Sequence, residues 1–186
     1  SVWGAARRGE IEEIKNFLAE GGDVNARNNE GDTLLASAAL VGEDEMVGYL
    51  LKRGADATLG NKERNTPLHG AALLGQFEVV QLLIASGGDI NATNQEGRTP
   101  LDNAFGAWNQ ELRGLVQFLG GILQMSFDLE DVKAGRVQVT ALLRERNAKH
   151  GTGLAIEMAK RTARSVSGGD IASVTKYLAE GGDANA

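Results

Sequence analysis

The sequence predicts an all-α solenoid of stacked helical hairpins, and a strict periodicity is the main reason. Three segments recur at a spacing of 33 residues: Thr33-Leu34-Leu35, Thr66-Pro67-Leu68 and Thr99-Pro100-Leu101. The same step carries Gly22-Asp23 to Ala55-Asp56 and then to Gly88-Asp89. A fixed period of this length is typical of repeat proteins, in which a unit buries its apolar face only against its neighbours. We therefore expect residues 1–186 to form a single solenoid.

Each unit contains the signals for two helices and a turn. Thr66 is a suitable N-cap, because its side-chain oxygen can accept from free N–H groups, and Pro67 gives up an N–H that would lack a partner anyway. Ala71 and Ala72 keep the first helix thin, so that helices can approach closely. Gly75 suits the turn, where a positive φ is expected. The second helix then carries an apolar stripe of Val79, Val80, Leu82 and Leu83.

In register, the three blocks are TLLASAALVGEDEMVGYLLKRGAD, TPLHGAALLGQFEVVQLLIASGGD and TPLDNAFGAWNQELRGLVQFLGG. They resemble the ankyrin repeat, whose first helix opens with TPLHxAA, whose second helix carries VxxLL and which ends in GAD-V-N-A. The resemblance implies regular repeats over residues 1–121, with Trp108 in place of the turn glycine in the fourth block. It also implies that His69, the histidine of TPLH, ties helix starts together by hydrogen bonds.

The resemblance extends with lower quality to both ends of the chain. At the start, WGAARRGEIEEIKNFLAEGGDVNA aligns from Ala5-Ala6 onward without a preceding hairpin. Residues 122–168 lack TPL and GAD, yet GRVQVTALL from Gly135 matches GQFEVVQLL from Gly75. There we expect divergent repeats with a lost hairpin near residues 144–152 and a first helix lengthened through Ala163. Residues 169–186 then form the second half of a further repeat. We count about six helix pairs, the last two divergent, and expect the natural chain to extend beyond residue 186.

Composition is consistent with a solenoid and excludes several classes of site. Hydrophobic residues make up 42% of the chain and aromatic residues only 5%, which suits a core of Ala, Leu and Val. No apolar run reaches the roughly 18 residues of a membrane span. Without cysteine, the chain has no disulfide framework, thiolate metal site or thiol nucleophile. A reducing, intracellular location, the cytoplasm, is our expectation.

Charge is distributed unevenly along the chain. Residues 1–131 hold 10 Lys and Arg against 20 Asp and Glu, whereas residues 132–165 hold 8 against 2. The basic segment 132–165 is either a solvated helical face or a contact for an acidic partner. Nucleic acid is disfavoured, because the chain carries a net charge of -6 and no aromatic residue lies between Gly135 and Thr175.

The sequence offers little for catalysis. His69 is the clearest candidate base, and His150 precedes Gly151-Thr152-Gly153, where a helix start could hold an anion. A plain N-cap at Thr152 explains the second pattern equally well. GxxxxGK[ST], GxSxG and HExxH are all absent. We therefore expect no enzyme activity, no cofactor, no metal and no small-molecule substrate.

The resemblance implies that an unknown protein partner binds hairpin tips and a concave groove. The matching tip residues are Asn29, Glu30 and Asp32 on the first hairpin, Lys62, Glu63 and Asn65 on the second, and Gln95, Glu96 and Arg98 on the third. The matching groove pairs are Arg7 and Arg8, Leu40 and Val41, Leu73 and Leu74, and Gly106 and Ala107. Leu40, Val41, Leu73, Leu74 and Trp108 form what we call the apolar strip.

The apolar strip has two interpretations, an exposed interaction site or inter-repeat packing. Two functions accordingly stay open: a non-catalytic protein-binding module, or a structural spacer joining two ankyrin arrays in a longer protein. A binder is expected to leave the strip accessible. A spacer is expected to bury it under a helix near residues 152–166.

Overall fold

The computed structural model describes residues 1–106 and 108–153, and within these ranges the regular structure consists of nine helices. In chain order they are α1 (Val2–Arg7), α2 (Ile11–Ala19), α3 (Leu34–Val41), α4 (Asp44–Lys52), α5 (Pro67–Leu74), α6 (Phe77–Ala85), α7 (Pro100–Phe105), α8 (Gln110–Leu123) and α9 (Leu129–Glu145). The prediction of an all-α fold is confirmed.

The helices form a stack of two columns. α1, α3, α5 and α7 pack on one another as inner helices, and they pair in turn with the outer helices α2, α4, α6 and α9. A continuous core runs between the columns. It is built from small and branched side chains that are fully buried, among them Leu35, Ala38, Leu68, Val80 and Leu143.

Helix starts and turns follow the residues that recur in the sequence. The Thr33 hydroxyl accepts from the Ala36 N–H at 3.1 Å and thereby caps α3. Gly42 and Gly75 end α3 and α5 with φ of 85° and 71°, a left-handed conformation that a side chain disfavours. The expectation of positive φ at the turn glycines is confirmed.

The fourth repeat differs from the sequence prediction. We placed its second helix in NQELRGLVQFLGG, but the outer position is taken by α9, which pairs with α7 and packs on α6. Glu43 and Gln76 each place a side chain against the turn glycine of the preceding repeat, and the backbone of Gly135 and Arg136 lies against Gly75. Gly135 therefore has the repeat register of the turn glycines, but it lies inside α9 and does not adopt their positive φ.

An insertion explains this difference. Gly135 lies 60 residues after Gly75 instead of 33, so the fourth repeat contains 27 extra residues, 108–134, which we call the insertion. The assignment of residues 1–121 to regular repeats stays a prediction; within the described residues α9, and not α8, is the outer helix that pairs with α7. Trp108 opens the insertion and does not occupy the turn. Four helix pairs are seen in the described part of the chain, not the six that we counted over the whole sequence.

The connection after α9 is short. It runs from Arg146 to Gly151, and helical backbone begins again at Thr152 and Gly153. Asn147 adopts a positive φ of 59° in this connection. The helix expected to extend through Ala163 and the half-repeat 169–186 lie outside the described residues.

One hairpin contains a strained residue that predicts a stabilising change. Gly31, Arg64 and Gly97 occupy the same hairpin position, with φ of 85°, 64° and 71°. A side chain in the left-handed region costs about 1 kcal/mol. We expect Arg64→Gly to raise the free energy of unfolding by about 0.5 to 1 kcal/mol in urea denaturation. Lys62→Gly, in the same hairpin but without positive φ, is expected to lower it; equal effects of the two changes would contradict the strain.

Candidate partner-binding surfaces

The hairpin tips form an exposed row along the stack. The first two predicted residues of each tip are exposed: Asn29 and Glu30, Lys62 and Glu63, and Gln95 and Glu96. The third predicted residue of each tip is half-buried: Asp32, Asn65 and Arg98. Each tip therefore exposes two residues to solvent, and the third is half-buried.

Hydrogen bonds join each tip to the next. The Lys62 N–H donates to the Glu30 carbonyl at 3.1 Å, and the Gln95 N–H donates to the Glu63 carbonyl at 2.9 Å. The Gln95 side chain also donates to the Lys62 carbonyl at 2.7 Å. Because the first two bonds are between backbones, the spacing of the tips is set by the fold and not by the side chains that a partner would contact.

A row of asparagines completes this connection, and the sequence analysis missed it. Asn61 donates through Nδ2 to Asp32 Oδ1 at 2.9 Å, and Asn94 donates in the same way to Asn65 Oδ1 at 2.9 Å. The Oδ1 atoms of Asn61 and Asn94 accept backbone N–H groups within their own hairpins. The recurrence of Asn28, Asn61 and Asn94 at 33-residue steps was the available signal.

The tips carry one glutamate each at the same repeat position. Glu30, Glu63 and Glu96 are all exposed. Glu96 forms an ion pair with Arg98 at 3.1 Å, and such surface pairs contribute little to stability. The row therefore offers carboxylates at regular intervals on a rigid support.

The apolar strip is covered by the insertion. Leu74 is buried together with Val116 of α8 and Val132 of α9, and Leu40, Leu73 and Trp108 are half-buried against this group. Val41 is half-buried as well. The cover comes from α8 and the start of α9. We expected the segment 152–166 to provide it, and the structure describes that segment only as far as Gly153.

Arg8, at another predicted groove position, is exposed, and its side chain forms an ion pair with Glu10 at 2.7 Å.

A buried arginine joins α9 to two inner helices. Arg136 donates through Nη1 to the carbonyl oxygens of Leu73 and Asn103, and through Nη2 to that of Gly106 at 3.0 Å. These carbonyls lie at helix C-termini, where a cation is favoured. Burial lowers the pKa of Arg136 to about 10, so it is still charged at neutral pH.

Asp102 and His150 form a second buried polar group. Asp102 Oδ1 meets His150 Nδ1 at 2.6 Å, and Asp102 Oδ2 accepts from the N–H groups of Thr99 and Gly151, each at 2.8 Å. The His150 ring packs edge-on to Phe105, with ring centroids 5.0 Å apart. Asp102 holds the repeat position of His69, and it ties the start of α7 to the helix that follows at Thr152.

His69 has a structural environment. It is fully buried; Nδ1 accepts from the Thr66 N–H at 3.1 Å, and Nε2 lies 3.0 Å from the Arg98 carbonyl. The neutral ring with its proton on Nε2 satisfies both contacts. Neither ring nitrogen is left to accept a proton from a substrate, so the hydrogen bonds implied by the resemblance are the ones that the structure contains.

The state of His69 predicts a pH dependence. Burial lowers the pKa of His69, because the imidazolium loses hydration. The folded state then binds fewer protons than the unfolded state, so the contribution of His69 is present above the ordinary histidine pKa of about 6.5 and falls as the pH drops below it. We expect the stability of the His69→Gln variant to fall less steeply with acid than that of the parent. Parallel curves would contradict this assignment.

The basic segment divides into a buried and an exposed part. Lys133, Arg144, Arg146 and Lys149 are exposed, whereas Arg136 is buried. Arg144 also lies over the Phe105 ring, 4.7 Å from its centroid. Lys160, Arg161 and Arg164 lie outside the described residues.

Sites of other kinds are not found in the described ranges. They contain no group of three or more possible metal ligands. No helix there is sufficiently long and apolar to cross a bilayer. A cavity of about 340 Å³ is lined by Trp3 and by the first hairpin, at Arg27, Asn28, Asn29 and Glu30. Trp3 Nε1 is buried and has no hydrogen-bond partner among the described residues.

Comparison with known proteins identifies the repeats. The family model for ankyrin repeats, of three copies, matches residues 2–94 and again residues 55–119. No curated protein matches the chain significantly. Ankyrin repeats are typically non-catalytic and serve as protein–protein interaction modules. With a matching sequence over more than half of its length and stacked helix pairs at the 33-residue period, the chain belongs to the ankyrin-repeat family.

Proposed function

We propose that this chain binds a protein partner through its hairpin tips, and through the part of the concave groove that the insertion leaves open. The observation that carries the proposal is the row of exposed tip residues on a hydrogen-bonded support. Such a support lowers the entropic cost of binding, because the contact residues are already held in place. Arg8 is the exposed charge at the open end of the groove.

The tips can be tested by reversing their charge. The variant Glu30→Lys, Glu63→Lys and Glu96→Lys alters one residue on each tip. A matched control is Glu12→Lys, Glu45→Lys and Glu78→Lys, which changes three exposed residues at the same 33-residue spacing on the outer helices. Both variants are checked for folding by circular dichroism.

In capture experiments from the source cells with quantitative mass spectrometry, we expect a protein that the parent and the control both retain. The tip variant is expected to retain it at least tenfold less. Equal retention by all three chains would overturn the assignment to the tips. Equal loss from both variants would show that net charge, and not the tip surface, determines capture.

The covered apolar strip favours a second candidate, the structural spacer. Leu74 is 1% exposed and its neighbours on the strip are half-buried, so this part of the groove is filled by the chain itself. A spacer requires no free groove. It predicts that the parent chain captures no protein above the level of an unrelated repeat protein in the same experiment.

A further inference from the structure

The helix α8 lies on the apolar strip in the manner of a bound ligand. Leu112, Val116, Leu119 and Leu123 share one of its faces, at spacings of four, three and four residues. Val116 is fully buried, and Leu119 packs half-buried against the same group. The surface below α8, formed by Leu40, Leu73, Leu74 and Val132, therefore accepts apolar side chains at the positions of Val116 and Leu119.

The side-chain polar contacts of α8 differ from those of α9. Within the described residues, no side chain of residues 110–123 hydrogen-bonds or ion-pairs with another helix. By contrast, α9 is fixed by the three bonds of Arg136. The group that contains Val116 is also separate from the main core of the stack. Elements with few buried contacts open at low free energy, and only Val116 and Gly120 of α8 are buried, so we expect α8 to open before the repeats unfold.

The outer face of α8 fits poorly with a permanent place on the surface. Leu115, Phe118 and Ile122 are 41%, 64% and 61% exposed, and only Val116 and Gly120 of its 14 residues are buried. The docked helix thus leaves three large apolar side chains in water. A helix with the same inner residues and a polar outer face would cover the strip without this cost.

We propose that the surface formed by Leu40, Leu73, Leu74 and Val132 is a docking site for an amphipathic helix of a partner protein, and that α8 occupies it until that helix displaces α8. The proposal rests on the proposed protein-binding function and specifies the chemistry of one partner element. The partner helix carries apolar residues at positions i, i+4, i+7 and i+11 and polar residues on its other face. The apparent affinity for it is reduced by the fraction of molecules in which α8 is docked.

A peptide with the sequence of α8 tests the site without the natural partner. The probe is a fluorescein-labelled peptide of residues 109–124 in which Leu115, Phe118 and Ile122 are replaced by Lys, Glu and Lys. The full-length chain carries Val116→Asp, which weakens docking of its own helix. The matched control is Phe118→Asp, which places the same charge on the exposed face of the same helix.

We expect Val116→Asp to bind the peptide at least tenfold more tightly than the parent, and Phe118→Asp to bind it like the parent. Adding Leu73→Asp to Val116→Asp is expected to abolish the gain. The proposal is overturned if Val116→Asp binds the peptide no more tightly than the parent does. It is also overturned if adding Leu73→Asp to Val116→Asp leaves the affinity for the peptide unchanged. The peptide assay uses only this chain and the labelled peptide. A negative result there tests the α8 site alone, whereas the capture experiment tests partner binding at the tips.

A second measurement on the unmodified chain covers the case in which Val116→Asp does not fold. Amide exchange is expected to be faster in residues 112–120 than in residues 136–143, and excess peptide is expected to accelerate it further in α8 alone. If peptide leaves exchange of α8 unchanged at concentrations where it binds the chain, it binds elsewhere and the proposal is wrong.

Discussion

Replacing Asp102 with alanine is expected to lower the free energy of unfolding by about 3 to 5 kcal/mol, because each of the buried groups that lose their acceptor costs about 1 to 3 kcal/mol. Asp102 is 1% exposed and is contacted by His150 and by the N–H groups of Thr99 and Gly151. The truncation leaves an imidazole and two N–H groups buried without their acceptor. Chemical denaturation followed by circular dichroism measures the change.

Asp89→Ala is the control for this prediction. Asp89 also accepts a backbone N–H in a turn, from Asn91 at 2.8 Å, but it is exposed to solvent, which replaces the lost bond. Its removal is expected to cost about 1 kcal/mol or less. If Asp102→Ala and Asp89→Ala cost the same, the contacts between Asp102, His150 and Gly151 do not stabilise the fold.

Replacing Leu68 with alanine is expected to cost about 2 to 5 kcal/mol, because Leu68 is fully buried in the continuous core at the start of α5. The change removes apolar contacts with both neighbouring repeats and leaves a cavity. Lys62→Ala, at the adjacent tip, is expected to cost about 0.5 kcal/mol or less. Urea denaturation of both variants provides the comparison, and equal costs would show that the register assigned to the second hairpin is wrong.

The fold was predictable wherever local signals and the repeat period agree. Thr33 and Thr99 cap helices, Gly42 and Gly75 turn the chain, and Leu68 enters the core, all at positions that the 33-residue step specifies. In such a stack a repeat packs only against its neighbours, so a local pattern determines most of the contacts. Position within the repeat was therefore sufficient to assign these residues.

The insertion could not be predicted in the same way. The apolar pattern of α8 resembles that of an outer helix, and periodicity predicts a helix without indicating the surface on which it packs. Two signals were present: Trp108 stands where glycine was expected, and GRVQVTALL has the register of an outer helix. We assigned GRVQVTALL to a further repeat. The contact between Arg136 and Gly75, which places this segment in the fourth repeat, is visible only in the structure.

The candidate site was predictable in part. The tip positions followed from the resemblance, and two residues of each are exposed. The half-burial of Asp32 and Asn65 depends on asparagines one repeat further along the chain, at Asn61 and Asn94, and such contacts are not visible in a single block. The cover over Leu73 and Leu74 likewise depends on a segment from another part of the sequence.

The contact between Arg136 and Gly106 has a consequence for how this chain can vary. Gly106 and Arg136 lie on either side of the insertion, and their hydrogen bond of 3.0 Å holds the two flanks of the insertion together. Changing the length of a segment whose ends are fixed together costs little, about 0.6 kcal/mol for each doubling. The segment between α7 and Gly135, which includes the start of α9, is therefore where we expect foreign sequence to replace residues 108–134 while the four helix pairs keep their arrangement. The repeat array serves as a frame, and the insertion is its replaceable part.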